Sequence, residues 1–349
     1  MKTKKFLSHL LISIIIPGIC LIMIIITATV SCIRSQQNNF QELNGPYMGQ
    51  QPPGNAPVLF APGLVCTGME ELVITFTPDG RECFWSVRFS GLETILTSRI
   101  EKGHWTQPEI APFAGIYYDG WPAIQPDGKR MLFHSNRPAP DGIIGVTASF
   151  NIWYLDKTAN GWSGPIILGV PVNSSENSTC PSVTLTGNLY ISKRFADTSE
   201  KLCRSELKNG VYQELEILPP LVNPLHANFH GVISPDESYL VRPLYGRADI
   251  IGEGWNYYVS FRSTDGEWSD LINLGKEVNS VRCTAASSFS PDGRYLFFDA
   301  CIIQDPIKRL DRKLSLTELQ QKEFRDPGKG SSDIYWIETD FIEKLRPKQ

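Results

Sequence analysis

Gln125-Pro126-Asp127-Gly128, followed by Arg130-Met131-Leu132-Phe133-His134, is the stretch on which the reading of this chain turns. Proline presets φ at the first turn position, the Asp carboxylate caps the turn, and Gly takes the left-handed position before the next strand. An apolar run on the far side makes the whole a tight β-hairpin. The pattern recurs. Thr77-Pro78-Asp79-Gly80 precedes Cys83-Phe84-Trp85, Ser290-Pro291-Asp292-Gly293 precedes Tyr295-Leu296-Phe297-Phe298, and Ser234-Pro235-Asp236-Glu237 precedes Tyr239-Leu240-Val241. A degenerate copy, Thr184-Leu185-Thr186-Gly187, precedes Leu189-Tyr190-Ile191.

More of the unit repeats around each hairpin. A third strand follows, as in Asn151-Ile152-Trp153-Tyr154 and Asp333-Ile334-Tyr335-Trp336. A fourth opens on a turn and an aromatic: His104-Trp105, Gly161-Trp162, Val211-Tyr212, Glu267-Trp268. Three units run on into Val-Asn, at Val172-Asn173, Val222-Asn223 and Val278-Asn279. Four strands at a period of about 50 residues predict the blades of an all-β, antiparallel β-propeller. Five hairpins favour five blades, with an eroded sixth as the alternative. The last unit ends without a fourth strand, and an unpaired strand, Val58-Leu59-Phe60-Ala61-Pro62, precedes the first. That N-terminal strand is therefore expected to complete the C-terminal blade and close the ring, which removes exposed sheet edges.

The repeated Pro-Asp-Gly hairpins, the Asp-Ile-Tyr-Trp strand and the Gly-x-Trp start resemble the WD-like repeats of TolB-type propellers, over about residues 56–345. The resemblance implies the fold. It does not imply one function, because such propellers serve as binding platforms, assembly partners and enzymes.

The chain has 349 residues with a formal charge of −4, so it carries no basic excess to hold a phosphate backbone, and nucleic acid is not expected as a partner. Lys2, Lys4 and Lys5 precede an almost wholly apolar run from Leu10 to Ile26, which predicts export, with residues 1–31 a signal peptide or anchor. The small residues before Cys32 resemble a bacterial lipoprotein signal, which implies lipid on Cys32; the length of the apolar run also suits an uncleaved membrane anchor. Residues 32–55 have no apolar period and read as a tether, leaving 56–349 for the propeller. An insertion at about 303–332 holds Ser315-Leu316-Thr317-Glu318, a capping box that predicts a short helix.

A ligand is expected on the face from which the blade-to-blade loops and the second-to-third-strand loops emerge. Six residues before each turn stand Glu71, Asp119, Ser178, Asn228 and Thr284, at the top of the innermost strand. The ends of the paired strands carry Arg88, Arg137, Arg194, Arg242 and Asp299, with Trp121, Tyr117, Tyr118, Phe229 and His230 nearby. The candidate ligand-binding set is Glu71, Asp119, Trp121, Arg137, Arg194, Asn228, His230, Arg242, Thr284 and Asp299. It suits a polar ligand such as a carbohydrate, with aromatic faces for sugar rings and charges for hydroxyls or uronates. The plainer alternative is a water-filled tunnel whose polar lining only joins blades.

Signals for catalysis are thin. His104, His134, His226 and His230 lack zinc spacing, and neither a Gly-x-Ser-x-Gly elbow nor a phosphate loop occurs. No metal or cofactor is expected. Glu71, Asp119 and Asp299 could supply a carboxylate pair for a carbohydrate-active hydrolase or lyase. The expectation is an exported envelope binding module, for a polar ligand or an envelope protein; a structural assembly partner is the second alternative. Cys283 and Cys301 sum to 584, the register constant expected of the last hairpin, which predicts that they face each other across it.

Overall fold

The computed structural model describes residues 43–347, apart from 147, 198, 225–229, 253, 280–281, 302–312, 314 and 318–331. The chain divides into two units, Met1–Leu43 and Asn44–Gln349, and the propeller occupies the second. Cys32, the export signal and nearly all of the 303–332 insertion lie outside the described residues. Among the described residues no helix is long and apolar enough to cross a membrane.

Five antiparallel blades form the ring. Their inner three strands are Glu70–Phe76, Glu82–Phe89 and Leu92–Glu101 in the first blade, and Asp119–Ile124, Arg130–Ser135 and Asn151–Thr158 in the second. The third has Ser178–Val183, Leu189–Arg194 and Glu200–Ser205, the fourth Val232–Ile233, Tyr239–Tyr245 and Trp255–Phe261, and the fifth Arg282–Phe289, Tyr295–Cys301 and Asp333–Glu338. Short outer strands such as Glu109–Ile110 and Ile166–Ile167 complete the blades. The fifth is completed by Val58–Leu59, where Val58 pairs with Trp336 and Leu59 with Tyr335. The closure continues beyond the strand. Phe60 N–H donates to the Ile334 carbonyl at 2.8 Å, and Cys66 Sγ accepts the Ile334 N–H at 3.2 Å.

The repeated turn is held by its own side chains. Thr77 Oγ1 donates to Asp79 at 2.6 Å while accepting the Glu82 N–H at 3.1 Å, and Ser290 and Asp292 repeat this at 2.6 Å. Gly80, Gly128 and Gly293 sit at φ +64°, +74° and +72°. In the fourth blade Glu237 takes that left-handed position at φ +65°, which costs a residue with a Cβ about 1 kcal/mol. Ion pairs from its carboxylate to Arg204 at 2.6 Å and Arg262 at 3.0 Å tie the third and fourth blades and offset the strain.

The Val-Asn repeat has a structural role. Asn173 Oδ1 accepts the Ile152 N–H at 2.8 Å, and its Nδ2 donates to the Ile152 and Leu168 carbonyls at 2.8 and 2.6 Å. Asn223 does the same with Leu202 and Leu218, and Asn279 bonds both the N–H and the carbonyl of Tyr257. The buried amide thus stands in for a peptide group where the fourth strand leaves the third, and satisfies backbone that would otherwise be orphaned.

Two sequence expectations are corrected. The end of the stretch read as a tether is packed on the ring. Met48 is buried, and the Tyr47 ring meets Phe76, Tyr295, Phe297 and Trp336 at centroid distances of 4.9–6.4 Å. A single aromatic anchor gives no periodicity to read, yet buries enough area to hold the segment. The cysteine register also differs. Cys301 faces Arg282 and Cys283 faces Ala300, because a bulge between Cys283 and Ser287 shifts the pairing. One residue of offset removes the direct pairing of the two cysteines.

Candidate functional site

The same kind of bulge shapes the centre of the ring. Register shifts interrupt the innermost strands between Glu71 and Ile74, Gly120 and Ala123, Thr179 and Ser182, and Cys283 and Ser287. A bulge re-aims the side chain it carries. Trp121 and Cys180 sit there at φ +55° and +53°. Val73, Trp121, Cys180 and Ala286, each four residues before its turn, form one buried apolar cluster, and the Trp121 ring lies 4.4 Å from that of His230. Among the described residues, apolar side chains therefore fill the axis at this level, where the sequence had allowed a water-filled tunnel. On the turn side lies a shaft of about 40 Å3, lined in part by Pro126, Pro235 and Pro291.

On the opposite face, above the plug, opens a cavity of about 420 Å3. Trp121, His134, His230 and Cys180 belong to its lining, with Tyr118 and Phe150 beside them and Arg88, Arg194 and Glu200 among the charged groups. The Phe150 ring is edge-on to Tyr118 and to His134 at 5.2 and 5.8 Å.

His134 is built into the floor. Its Nδ1 accepts the Cys180 N–H at 3.2 Å, just as Ser86 Oγ in the first blade accepts the Trp121 N–H at 2.9 Å. Each acceptor stands nine residues after its turn and reaches the bulge of the next blade, so the bulged N–H is satisfied across the blade boundary. With Nδ1 accepting, the proton of the neutral ring sits on Nε2. Burial, then the neighbouring His230 and Arg88, lowers the His134 pKa to about 3. The ring is thus a neutral donor at ordinary pH, and Nε2 has no hydrogen-bond partner among the described residues.

Behind this floor, buried Glu93 accepts from the Tyr118 hydroxyl at 3.1 Å and lies 3.5 Å from Arg88, which also pairs with Glu70 at 2.6 Å. Burial raises the Glu93 pKa against the pull of Arg88, and burial together with Glu93 pushes the Tyr118 phenol up to about 12. Glu93 Oε1 is without a partner among the described residues. Gly120 separates it from His134: a Cβ there would fall 2.0 Å from Glu93 Oε1 and 2.9 Å from His134 Nε2. Any other residue at 120 would displace both groups.

Arg194 is more open. Its side chain is 61% exposed and meets Glu200 at 3.5 Å, so most of its five N–H donors are available. Burial raises the Glu200 pKa, with Arg194 opposing.

Of the sequence candidates, Trp121, Arg194 and His230 come together in this cavity. Asp119 and Arg137 form a buried pair at 2.6 Å, with Arg137 also donating to the Phe113 carbonyl, and do not line it. Glu71 is buried against Thr67, whose hydroxyl donates at 2.6 Å, and burial raises its pKa to about 8. Arg242 is fully buried, bonded to the Val222 carbonyl and to Asn223 Oδ1, and burial lowers its pKa to about 10. Asp299 accepts from the Ala286 N–H at 2.7 Å and from the Tyr257 hydroxyl at 3.0 Å. Asp299 reaches Tyr257 of the fourth blade and Arg242 reaches the loop after the third, whereas Asp119 pairs within its own blade and Glu71 with Thr67 four residues before it. Asn228 and the Thr284 side chain lie outside what is described. Among the described residues no three His, Cys, Asp or Glu are grouped as a metal site requires.

Phe150, Asn177, Thr179 and Glu200 also reach the cavity and were not among the candidates. They sit on irregular loops and strand ends, and only their place in the closed ring brings them together.

No family model matches the chain, and no curated protein matches it in sequence. Solved structures match in fold. TolB from Acinetobacter baumannii is 16% identical with a TM-score of 0.43, over 77% of this chain and 57% of that one. The likeness is to TolB-type propellers. A putative TolB from Agrobacterium tumefaciens is 17% identical with a TM-score of 0.40, over 63% of this chain and 70% of that one. The α-L-arabinofuranosidase PaAbf62A from Podospora anserina, solved with cellotriose, is 12% identical with a TM-score of 0.44, over 85% and 96%. The chain spans little more than half the length of the Acinetobacter TolB, and the likeness of this TolB-like propeller to all three is one of fold.

Proposed function

We propose that this TolB-like propeller is an exported binding module that holds a carbohydrate, with an acidic sugar among its rings, in the cavity on the loop face. The observation that carries this reading is the pairing of a floor of Trp121, His134 and His230 with the exposed guanidinium of Arg194 at the rim. Flat faces stack on sugar rings, and guanidinium groups pair with carboxylates in a forked geometry. The apolar plug closes the pocket beneath, as suits a ligand held at the face.

Glu71, Asp119 and Asp299, the acids named for cleavage of a glycosidic bond, are held in other contacts of the fold and do not line the cavity. Binding is therefore favoured over turnover. The charged, apolar and small-residue pattern before Cys32 supports export, with lipid on Cys32 or an uncleaved anchor holding the chain at a membrane. A glycan array paired with a reducing-sugar assay tests the reading. Retention of acidic glycans without release of reducing ends is expected; release of reducing ends would replace it with the hydrolase or lyase.

A further inference from the structure

Glu200 and Arg194 stand opposite each other in register, at the end of the hairpin formed by the second and third strands of the third blade. Phe195 N–H donates to the Ser199 carbonyl at 2.8 Å and closes the turn between them. The Arg194 N–H donates to the carbonyl of Asn177, another residue of the cavity lining, at 3.0 Å. Both side chains therefore reach the cavity from a fixed backbone.

The two differ in depth. The Arg194 side chain is 61% exposed and that of Glu200 only 18%, and their contact is a long one at 3.5 Å. Arg194 thus keeps donors for a second carboxylate. The guanidinium groups around it are engaged elsewhere: Arg88 with Glu70 and Glu93, and buried Arg242 with the Val222 carbonyl and Asn223 Oδ1. An anionic ligand entering the cavity meets Arg194 with Glu200 already beside it.

On the reading of this cavity as an acidic-sugar site, we propose that the sugar carboxylate joins Glu200 on Arg194 and that Glu200 takes up one proton from solvent as the ligand binds. Two carboxylates on one guanidinium repel each other, and a shared proton relieves the repulsion. Glu200 receives it because it is the deeper of the two, and burial already raises its pKa against the pull of Arg194. The sugar carboxylate at the open end of Arg194 stays ionised. One O–H bond forms on Glu200, the guanidinium charge is left to the ligand, and no bond of the sugar breaks. The complex then holds more protons than the free protein, so affinity rises as pH falls.

The neighbours of Glu200 keep their protons over the mildly acid range. Arg242, whose charge also acts on Glu200, remains a cation with a pKa of about 10. The Cys180 thiol is pushed well above its ordinary value by burial and stays neutral. His134, at about 3, and Tyr118, at about 12, stay neutral as well. His230 shares the cavity, and a Glu200 variant separates its titration from that of Glu200.

The probe is an oligogalacturonate, titrated calorimetrically into the full chain from about pH 5 to about pH 7.5. Affinity should be about three- to tenfold higher at the acid end. At about pH 6 the heats in Mes and in Bis-Tris, which differ in ionisation enthalpy, should differ by the uptake of up to about one proton per sugar bound. Glu200→Gln, which imitates the protonated acid, should bind at pH 7.5 about as tightly as the parent does at pH 5, without proton uptake. Melting curves check that this variant is folded, and the parent's two buffers decide the matter without it. Binding with a flat pH profile and equal heats in the two buffers would overturn the inference and leave the acidic-sugar reading standing. Uptake that persists in Glu200→Gln would also overturn it, since the proton would then go to another group. Absence of binding at every pH would overturn the reading and the inference together.

Discussion

The backbone N–H of Cys180 donates to His134 Nδ1 at 3.2 Å, joining the bulge of the third blade to the middle strand of the second. This bond fixes the tautomer of His134 and leaves its buried Nε2 beside Gly120. His134→Leu would leave a buried N–H without an acceptor and should cost roughly 1–3 kcal/mol. His134→Asn, which can still accept, should recover part of that. Chemical denaturation of the three proteins measures the difference, and equal stabilities would show that the bond does not matter.

The pH dependence of His134 has a definite sign. Its folded pKa, about 3, lies below the ordinary histidine value. The stability tied to the neutral ring is therefore present above about pH 6.5 and is lost as pH falls towards 3, because the unfolded chain takes up the proton first. His134→Asn should flatten the acid side of the stability curve between those values. An acid limb as steep as that of the parent protein would contradict the burial of a neutral ring.

Glu71 acts in the opposite direction. Burial raises its pKa to about 8, so its contribution is fullest below the ordinary carboxylate pKa and is lost as pH rises through 8. Glu71→Gln should raise the melting temperature at pH 8 and change it little at pH 4. Melting curves at the two pH values decide this; a lower melting temperature at pH 8 would show that the ionised carboxylate is what the fold needs.

The ring closure carries a further expectation. Tyr47→Ala removes a ring packed among four aromatics and should cost about 2–4 kcal/mol, comparable to a core deletion. Thermal melts of Tyr47→Ala beside the exposed-site control Tyr245→Ala test this. Equal melting temperatures would remove the segment from the fold.

The blades were legible because each level of the sequence agreed: turn chemistry, strand composition and the position of the closing strand all repeat. Val58–Leu59 completing the last blade follows from that agreement. What repetition could not show is a bulge, which adds a residue without changing composition. The bulges moved the axis-facing positions from six residues before the turn, where Glu71 and Asp119 stand, to four before, where Trp121, Cys180 and His230 stand. Charged residues picked out by their regular place, Arg137 and Arg242 among them, proved to be joints between elements. Arg194 was found because it is also exposed. Glu200, across a short turn from it, follows no repeat and could be seen only once Arg194 and Glu200 were paired in register.

Gly120→Ala follows from the same geometry. A methyl group 2.0 Å from Glu93 Oε1 must push the carboxylate or the strand aside, at a cost of about 1–3 kcal/mol. Because His134, whose Nε2 the same methyl would crowd, lines the cavity, ligand affinity should fall along with stability. A variant of unchanged stability would show that the close approach of Gly120 to Glu93 is not maintained in solution.

The central claim is that Arg194 and the aromatic floor hold an acidic sugar, and calorimetric titration of an oligogalacturonate into the full chain tests it most directly. Binding is expected, with Arg194→Ala weakening it about tenfold or more at an unchanged melting temperature, since that side chain is largely exposed. Absence of binding at millimolar sugar, or an affinity that Arg194→Ala leaves untouched, would contradict the account.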